Sequence, residues 1–163
     1  MFTHFNLHMT ESRPWLKHYP KGLPANIDVD RYPNLNSFLS EAMEKFADKT
    51  AFYCMGKSMT YGEIDKASRQ LAGYLQSRGL KPGDRVAIMM PNLLQYPIAL
   101  FGCIRAGLVV VNTNPLYTPR ELLYQLKDSG VRGIIIVENF ASHLEAVIGE
   151  TQIETVIVTS IGE

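Results

Sequence analysis

The chain has 163 residues, of which 46% are hydrophobic and 20% are charged, and these values are typical of a folded globular protein. The formal net charge is zero, so the chain lacks the positive surplus that general nucleic-acid binding requires. The two cysteines, Cys54 and Cys103, form no C-x-x-C motif, which disfavours a disulfide scaffold or a structural zinc site and favours a cytoplasmic setting.

Residues 1–33 are predicted to form an extended N-terminal arm. Four prolines interrupt this stretch: Pro14, Pro20, Pro24 and Pro33. Each proline disfavours helix at its own position and at the residue before it. Residues 13–20 mix aromatic with basic side chains, and two interpretations stay open. The arm either contacts a membrane surface or docks Trp15 and Tyr19 against the rest of the protein, and the second is favoured.

Regular structure is predicted from residue 34 onward, so residues 34–163 are assigned to one α/β unit. Asn34 is a plausible N-cap for a helix whose apolar residues recur at the spacing of one helical face. These residues are Leu35, Phe38, Leu39, Ala42, Met43 and Phe46. Residues 51–55 and 57–60 then predict a small hairpin. Thr60 and Glu63 form a capping box that opens a second helix, which ends at Gly79.

From residue 86 onward, short apolar strands alternate with helices. Strands are predicted at 86–90, 108–111, 134–137 and 155–159, and helices at 93–106, 118–130 and 140–148. The second of these helices begins with another capping box, Thr118 to Glu121, and the third is assigned Asn139 as its cap. This alternation predicts an α/β fold with a mostly parallel, doubly wound sheet and helices on both faces.

The loop after the strand at 108–111 is the most suggestive place for a ligand, because such folds bind ligands beyond the carboxyl ends of their strands. Asn112, Asn114 and Tyr117 offer several hydrogen-bonding groups between an apolar strand and a capped helix. Asn and Pro are also common turn residues, so an ordinary loop is the more economical interpretation from the residues alone.

Recognised catalytic motifs are missing from the sequence, which has no G-x-G-x-x-G and no G-x-S-x-G. Gly102 and Gly107 have the outer spacing of a P-loop, but no Lys-Ser or Lys-Thr pair follows them, and they lie in or at the end of a predicted helix. Helix packing and capping are therefore predicted for them. His4 and His8 have i, i+4 spacing on the arm, where a metal site is not expected. No catalytic, cofactor-binding or metal-ligating residue is predicted in this chain.

Four blocks of sequence resemble, in order, the N-terminal part of the adenylate-forming, AMP-binding enzymes. They are TYGEI at 60–64, GDRVAIMMPN at 83–92, RAG at 105–107 and NTNPLYTPREL at 112–122. Residues 90–97 and 112–122, together with Trp15-Leu16 and Tyr19-Pro20, are more similar still to bacterial long-chain fatty-acid–CoA ligases. The resemblance covers nearly the whole chain from Arg13 on.

This resemblance implies an enzyme that uses ATP and Mg²⁺ to convert a fatty acid into an acyl-adenylate, from which the CoA thiol then displaces AMP. It places the phosphate-binding loop, the acidic residue for ribose and metal, and the catalytic lysine in later motifs, which these 163 residues lack. The chain is therefore expected to be an N-terminal fragment that is inactive alone. The resemblance also implies that Asn112, Asn114 and Tyr117 line the path of the acyl chain or CoA.

A different class of protein stays open, namely a free-standing, non-enzymatic α/β module that binds a partner or a membrane through its arm. Continuation of the reading frame past residue 163 into a phosphate-loop motif would favour the ligase. Because the last predicted strand leaves an edge and an apolar face, the fragment is expected to self-associate, most economically as a dimer. A cytoplasmic location is expected, with peripheral contact at the inner membrane as an option.

Overall fold

The computed structural model describes residues 13–162, which form two compact units that divide after Pro33. Residues 1–12, including His4 and His8, and residue 163 lie outside the described part. The first unit contains one 3-10 turn, Pro14–His18, so the predicted extended arm is interrupted by a short helical segment. Proline is tolerated at that first helical position because its missing N–H would have no partner there.

The second unit begins with a helix, a hairpin and a second helix along the chain. These elements are α1 (Leu35–Lys45), β1 (Thr50–Cys54), β2 (Lys57–Thr60) and α2 (Tyr61–Ser77). The predicted caps of both helices are confirmed. The Asn34 side chain accepts a hydrogen bond from the Ser37 N–H, and Thr60 forms a reciprocal capping box with Glu63.

Four parallel strands then form the central sheet in the order β4-β3-β5-β6. Its elements are β3 (Arg85–Met89), α3 (Gln95–Arg105), β4 (Val109–Asn112), α4 (Pro119–Ser129), β5 (Gly133–Val137), α5 (Ala141–Glu145) and β6 (Thr155–Thr159). Ile88 of β3 pairs with Asn112 of β4 on one side and with Ile135 of β5 on the other. The strands predicted from the sequence are confirmed.

Successive residues of β3 point to opposite faces of the sheet, and each face carries its own buried cluster. Val86 and Ile88 pack in the cluster that includes residues of α2 and α3. Ala87 and Met89 pack in the cluster that includes residues of α4 and α5. Helices therefore cover both faces, as the alternating pattern predicts.

The predicted helices differ from the structure at three places. α3 begins at Gln95 rather than at residue 93, which puts Pro97 in its first turn, where the missing N–H costs no intrahelical bond. The helix predicted at 140–148 is divided into the 3-10 turn Glu138–Phe140, the short α5 and the 3-10 turn Ile148–Glu150. The N-cap position of α5 is Phe140, so the assignment of Asn139 as its cap is wrong.

The predicted apolar face of α1 is only partly covered. Met43 is buried, whereas Leu35 and Phe38 are 52% and 46% exposed. Within residues 13–162, no helix has both the length and the apolar character that are needed to cross a bilayer.

Candidate functional site

A crevice of about 310 Å³ opens where the carboxyl ends of β3 and β4 separate. The chain leaves β3 for α3 on one face of the sheet and leaves β4 for α4 on the opposite face. In the strand order β4-β3-β5-β6 the order reverses between β3 and β5, and the crevice lies beside that point, outside the carboxyl ends of the strands, where α/β sheets bind ligands. Its lining residues are Ile88, Met90, Asn92, Tyr96, Asn112, Thr113 and Asn114.

Asn112, the last residue of β4, is held by side chains from two helices. The Tyr96 hydroxyl of α3 donates a hydrogen bond of 2.8 Å to Asn112 Oδ1. The Gln125 Nε2 of α4 donates one of 3.1 Å to the Asn112 carbonyl oxygen. The carbonyl oxygen and the side chain of the first predicted site residue are therefore both held by hydrogen bonds.

Asn114 lies on the same crevice and orders the loop that follows. Its Oδ1 accepts the Leu116 N–H at 3.0 Å, and its carbonyl oxygen accepts the Tyr117 N–H at 3.2 Å. The far end of this loop is held by α5, where His143 Nδ1 lies 3.0 Å from the Tyr117 carbonyl oxygen. Since a carbonyl can only accept, Nδ1 carries the proton of that hydrogen bond.

Tyr117, the third predicted site residue, lies apart from the other two. Its side chain packs against the cluster on the α4 and α5 face and lines a separate surface cleft of about 650 Å³ together with Arg120 and Tyr124. The structure therefore brings Asn112 and Asn114 together in the crevice and places Tyr117 at a neighbouring site.

Sequence analysis missed Tyr96 as a residue of this crevice. It lies in the first turn of α3, and the apolar pattern of residues 93–106 gives it the appearance of a core position. The signal that could have revealed it is the position of α3 directly after β3, since the first turn of a helix that follows a strand lies beside the carboxyl end of the sheet.

The glycine pair that resembles a P-loop has a structural role, as predicted. Gly102 lies in the α2–α3 contact, where an added Cβ would come 2.8 Å from Leu71 Cδ2. Gly107 follows the C-cap of α3 with a φ of 75°, a left-handed conformation that favours glycine.

Arg105 forms the most buried ion pair among the described residues. Its guanidinium, with 9% side-chain exposure, donates to Asp65 Oδ1 at 2.5 Å and to Ser68 Oγ at 3.0 Å. Burial lowers the pKa of Arg105, and the Asp65 carboxylate opposes this change. Because Asp65 and Ser68 belong to α2, these contacts attach α3 to α2 and give Arg105 a structural role.

The sequence of the second unit matches a known family model. The model for the AMP-binding enzymes matches residues 39–162, which is most of the chain. The chain belongs to the AMP-binding enzyme family. The crevice at β3 and β4 therefore lies in the N-terminal region of a protein of this family.

Curated relatives agree with this family assignment. The chain is 56% identical over 150 residues to a long-chain-fatty-acid–CoA ligase of Yersinia pestis and 43% identical over 132 residues to one of Bacillus subtilis. These matches cover 91% and 80% of the chain, but only 27% and 23% of the relatives. The chain thus spans about a quarter of the length of the curated relatives that it matches.

Two solved structures share the fold. An anthranilate CoA ligase in complex with anthranoyl-AMP matches with a TM-score of 0.75 and 25% identity, over 78% of this chain and 25% of that one. A long-chain-fatty-acid-CoA ligase from Archaeoglobus fulgidus matches with a TM-score of 0.74 and 26% identity, over 86% of this chain and 30% of that one. The predicted α/β fold with a doubly wound sheet is confirmed by these neighbours.

Proposed function

We propose that the chain is the N-terminal part of a bacterial long-chain fatty-acid–CoA ligase. The whole enzyme would convert ATP, a fatty acid and CoA into acyl-CoA, AMP and pyrophosphate through an acyl-adenylate. The observation that carries the proposal is the 56% identity to the Yersinia pestis ligase over 91% of this chain. The rival hypothesis, a non-enzymatic binding module, has no comparable observation in its favour.

ATP, CoA and Mg²⁺ are the proposed cosubstrates and metal of the whole enzyme. We place the residues that bind the phosphates and the metal in the rest of the enzyme. Within residues 13–162, no group of three or more His, Cys, Asp or Glu side chains could hold a metal ion. Gly102 and Gly107 serve helix packing and capping. In this proposal the adenylation chemistry belongs to the rest of the enzyme, and the chain alone should be inactive.

The contribution of this chain would be to line a substrate path. Asn112 and Asn114 would do so at the crevice and Tyr117 at the adjoining cleft, along the route of the acyl chain or of CoA. Two aromatic residues of the arm, Trp15 and Tyr19, are 49% and 42% exposed, which supports peripheral contact with the inner membrane by a cytoplasmic enzyme. The exposed valines of β6 support self-association of the isolated chain.

The test uses the product of the complete reading frame that contains this chain. We expect fatty-acid-dependent ATP–pyrophosphate exchange and acyl-CoA formation, with long acyl chains preferred over short ones. The isolated 163-residue chain is the control and should show neither reaction, because it lacks the groups that stabilise charge in adenylate formation. A reading frame that stops at residue 163, or a full-length product that forms no acyl-adenylate, would overturn the proposal.

A further inference from the structure

A groove of about 390 Å³ is lined by residues of α1, α2 and α3. It shares no lining residue with the crevice at β3 and β4 or with the cleft beside Tyr117. Its lining residues are Asn36, Arg69, Ala72, Gly73, Gln76 and Arg105. Two of these residues are cations and none is an acid, so the lining carries a surplus of positive charge.

Both arginines of the groove are oriented by one carboxylate, that of Asp65, which is not among the lining residues. Arg69 Nε lies 2.8 Å from Asp65 Oδ2, and Arg105 Nη2 lies 2.5 Å from Asp65 Oδ1. Arg105 Nε donates to Ser68 Oγ. These contacts use other nitrogens than Arg105 Nη1 and the two terminal nitrogens of Arg69. Because the guanidinium groups are already positioned, a ligand that takes these N–H groups would immobilise little side chain.

The two guanidinium groups are close enough for their charges to repel each other. Burial lowers the pKa of Arg105, the Asp65 carboxylate opposes this change, and the positive charge of Arg69 lowers the pKa further. One carboxylate cannot neutralise two cations. The Arg105 side chain is only 9% exposed, so solvent screens its charge less than that of a surface arginine. An anion in the groove would therefore be attracted by both cations and would reduce their repulsion.

Gly73 and Asn36 also favour a ligand in this groove. Glycine weakens the interior of a helix relative to alanine, yet a Cβ added at Gly73 of α2 would meet nothing within 4 Å, so no packing contact requires the glycine. Its absent side chain leaves the groove open. Asn36 Oδ1 is buried and has no donor among residues 13–162, a cost that a donor from a ligand or its hydration water would offset.

We propose that this groove binds a phosphate group, with Arg69 and Arg105 as the charged donors and Gln76 as a neutral one. The planar fork of N–H groups on a guanidinium matches the oxygens of phosphate. Free phosphate and the headgroup of a phosphomonoester lipid present the same chemistry to an open groove. The site goes beyond the proposed function, because no step of the ligase reaction is assigned to it.

The test is an NMR titration of the ¹⁵N-labelled 163-residue chain with inorganic phosphate at constant ionic strength, which sodium chloride maintains. The Nε–Hε resonances of Arg69 and Arg105 report on the groove directly, and both N–H groups are held by hydrogen bonds. We expect phosphate to shift both resonances saturably. Sodium chloride alone at the same ionic strength should not shift them.

Two variants change the groove in different ways. Arg69→Gln removes a cation whose side chain is 58% exposed, and it should weaken phosphate binding by about tenfold, the loss expected for a hydrogen bond to a charged group. Gly73→Leu keeps both arginines but puts a side chain into the open space of the groove, and it should abolish saturable binding. Arg120→Gln is the control, because it removes the same charge from an exposed position on α4, on the opposite face of the sheet. It should bind phosphate like the wild type.

Co-sedimentation with vesicles distinguishes the two sources of the phosphate group. The vesicles consist of phosphatidylcholine with or without phosphatidic acid, whose headgroup is a phosphate monoester. Binding that requires phosphatidic acid and is lost in both Arg69→Gln and Gly73→Leu would identify the lipid headgroup as the ligand. Saturable shifts with inorganic phosphate, together with vesicle binding that neither variant changes, would identify free phosphate.

The titration decides whether the site exists. Saturable shifts that are weakened in Arg69→Gln, lost in Gly73→Leu and kept in Arg120→Gln support it. Shifts that rise linearly with phosphate, or that are equal in the wild type and Gly73→Leu, would overturn it. The backbone amide spectrum shows whether each variant is folded, and Gly73→Leu decides alone if Arg69→Gln is not, since leucine favours the helix more than glycine. Because the titration needs no ATP, fatty acid or CoA, its failure is distinct from a failure of the proposed enzyme activity.

Discussion

Leu71 of α2 packs directly over the backbone of Gly102 in α3. A Cβ at position 102 would lie 2.8 Å from Leu71 Cδ2, 2.9 Å from Cγ and 3.1 Å from Cβ. Leu71 Cβ cannot move without its backbone, so rotation of the leucine side chain would not relieve the whole overlap. The close approach of α2 and α3 therefore depends on a glycine at this position.

Gly102→Ala is expected to destabilise the protein. Overpacking in a closely packed contact costs about 1–3 kcal/mol, which offsets the gain of about 0.5–1 kcal/mol from replacing glycine inside a helix. Gly73→Ala is the matched control, because Gly73 lies in α2 with nothing within 4 Å of its added Cβ. Urea denaturation should show a loss for the first variant and a gain for the second. Equal gains would contradict the proposed contact.

Leu126→Ala is expected to lower the free energy of unfolding by about 2–5 kcal/mol, the usual range for a fully buried leucine. Leu126 is 2% exposed and belongs to the cluster between α4 and the sheet. Tyr124, two residues earlier and 74% exposed, is the control, and Tyr124→Ala should change stability by less than about 0.5 kcal/mol. Similar losses in both variants, measured by urea denaturation, would mean that the helix face is wrongly assigned.

The elements that the sequence predicts well are those whose local signals agree with their packing. The capping boxes at Thr60 and Thr118 begin α2 and α4, and both are confirmed. The helix assigned to 140–148 fails because its local signals are weak. Asn139 is a good cap by type, yet the chain leaves β5 through a 3-10 turn, and the cap position passes to Phe140. The residue preferences of this segment do not predict the 3-10 turn, and so they do not locate the start of α5.

The candidate site could be predicted only in part. Asn112 and Asn114 are recognisable because they follow an apolar strand in a sheet whose carboxyl edge binds ligands. The separation of Tyr117 from them depends on which way its side chain leaves the loop, and sequence spacing does not encode that direction. The contact of Tyr96 with Asn112 joins residues 16 positions apart, so it follows from the strand order and not from any local pattern.

Glu121 should make the stability of α4 depend on pH. Its carboxylate accepts hydrogen bonds from the Thr118 backbone N–H at 2.9 Å and the Thr118 hydroxyl at 2.8 Å. These bonds lower the pKa of Glu121 below its ordinary value. A carboxyl group with a lower pKa in the folded state stabilises the protein above its unfolded pKa of about 4.3. That contribution is lost as the pH falls through the folded value.

The variant Glu121→Gln keeps an acceptor but cannot titrate. We expect it to be less stable than the wild type at pH 7, with a difference that shrinks as the pH is lowered from about 5 towards about 3. Glu145→Gln is the control, since Glu145 is exposed and lies in α5, away from the capping box of α4. Urea denaturation at both pH values gives the comparison. A difference for Glu121→Gln that is independent of pH would contradict the assigned cause.

The two cysteines should react at very different rates. Burial raises the pKa of the Cys103 thiol to about 12, so very little of the reactive thiolate is present at pH 8. Cys54 is half-buried, and its thiol lies 3.5 Å from the Asn92 carbonyl oxygen. We expect iodoacetamide to modify Cys54 first and Cys103 only after unfolding, as read by peptide mass spectrometry. Equal modification rates in the native protein would show that the buried cluster around Cys103 opens often enough to expose its thiol to the reagent.

The exposed edge strand β6 should drive self-association of the isolated chain. β6 lies at one end of the sheet order, and its Val156 and Val158 are 40% and 53% exposed. Free strand edges pair readily with other strands, and a lysine on the edge opposes such pairing. We expect Val158→Lys to abolish a concentration-dependent rise in mass in light scattering. Val109→Lys, on the opposite edge strand β4, should leave that rise in place. The prediction is wrong if the wild-type chain stays monomeric at high concentration. It is also wrong if only Val109→Lys lowers the mass, since the copies would then associate through β4 and not through β6.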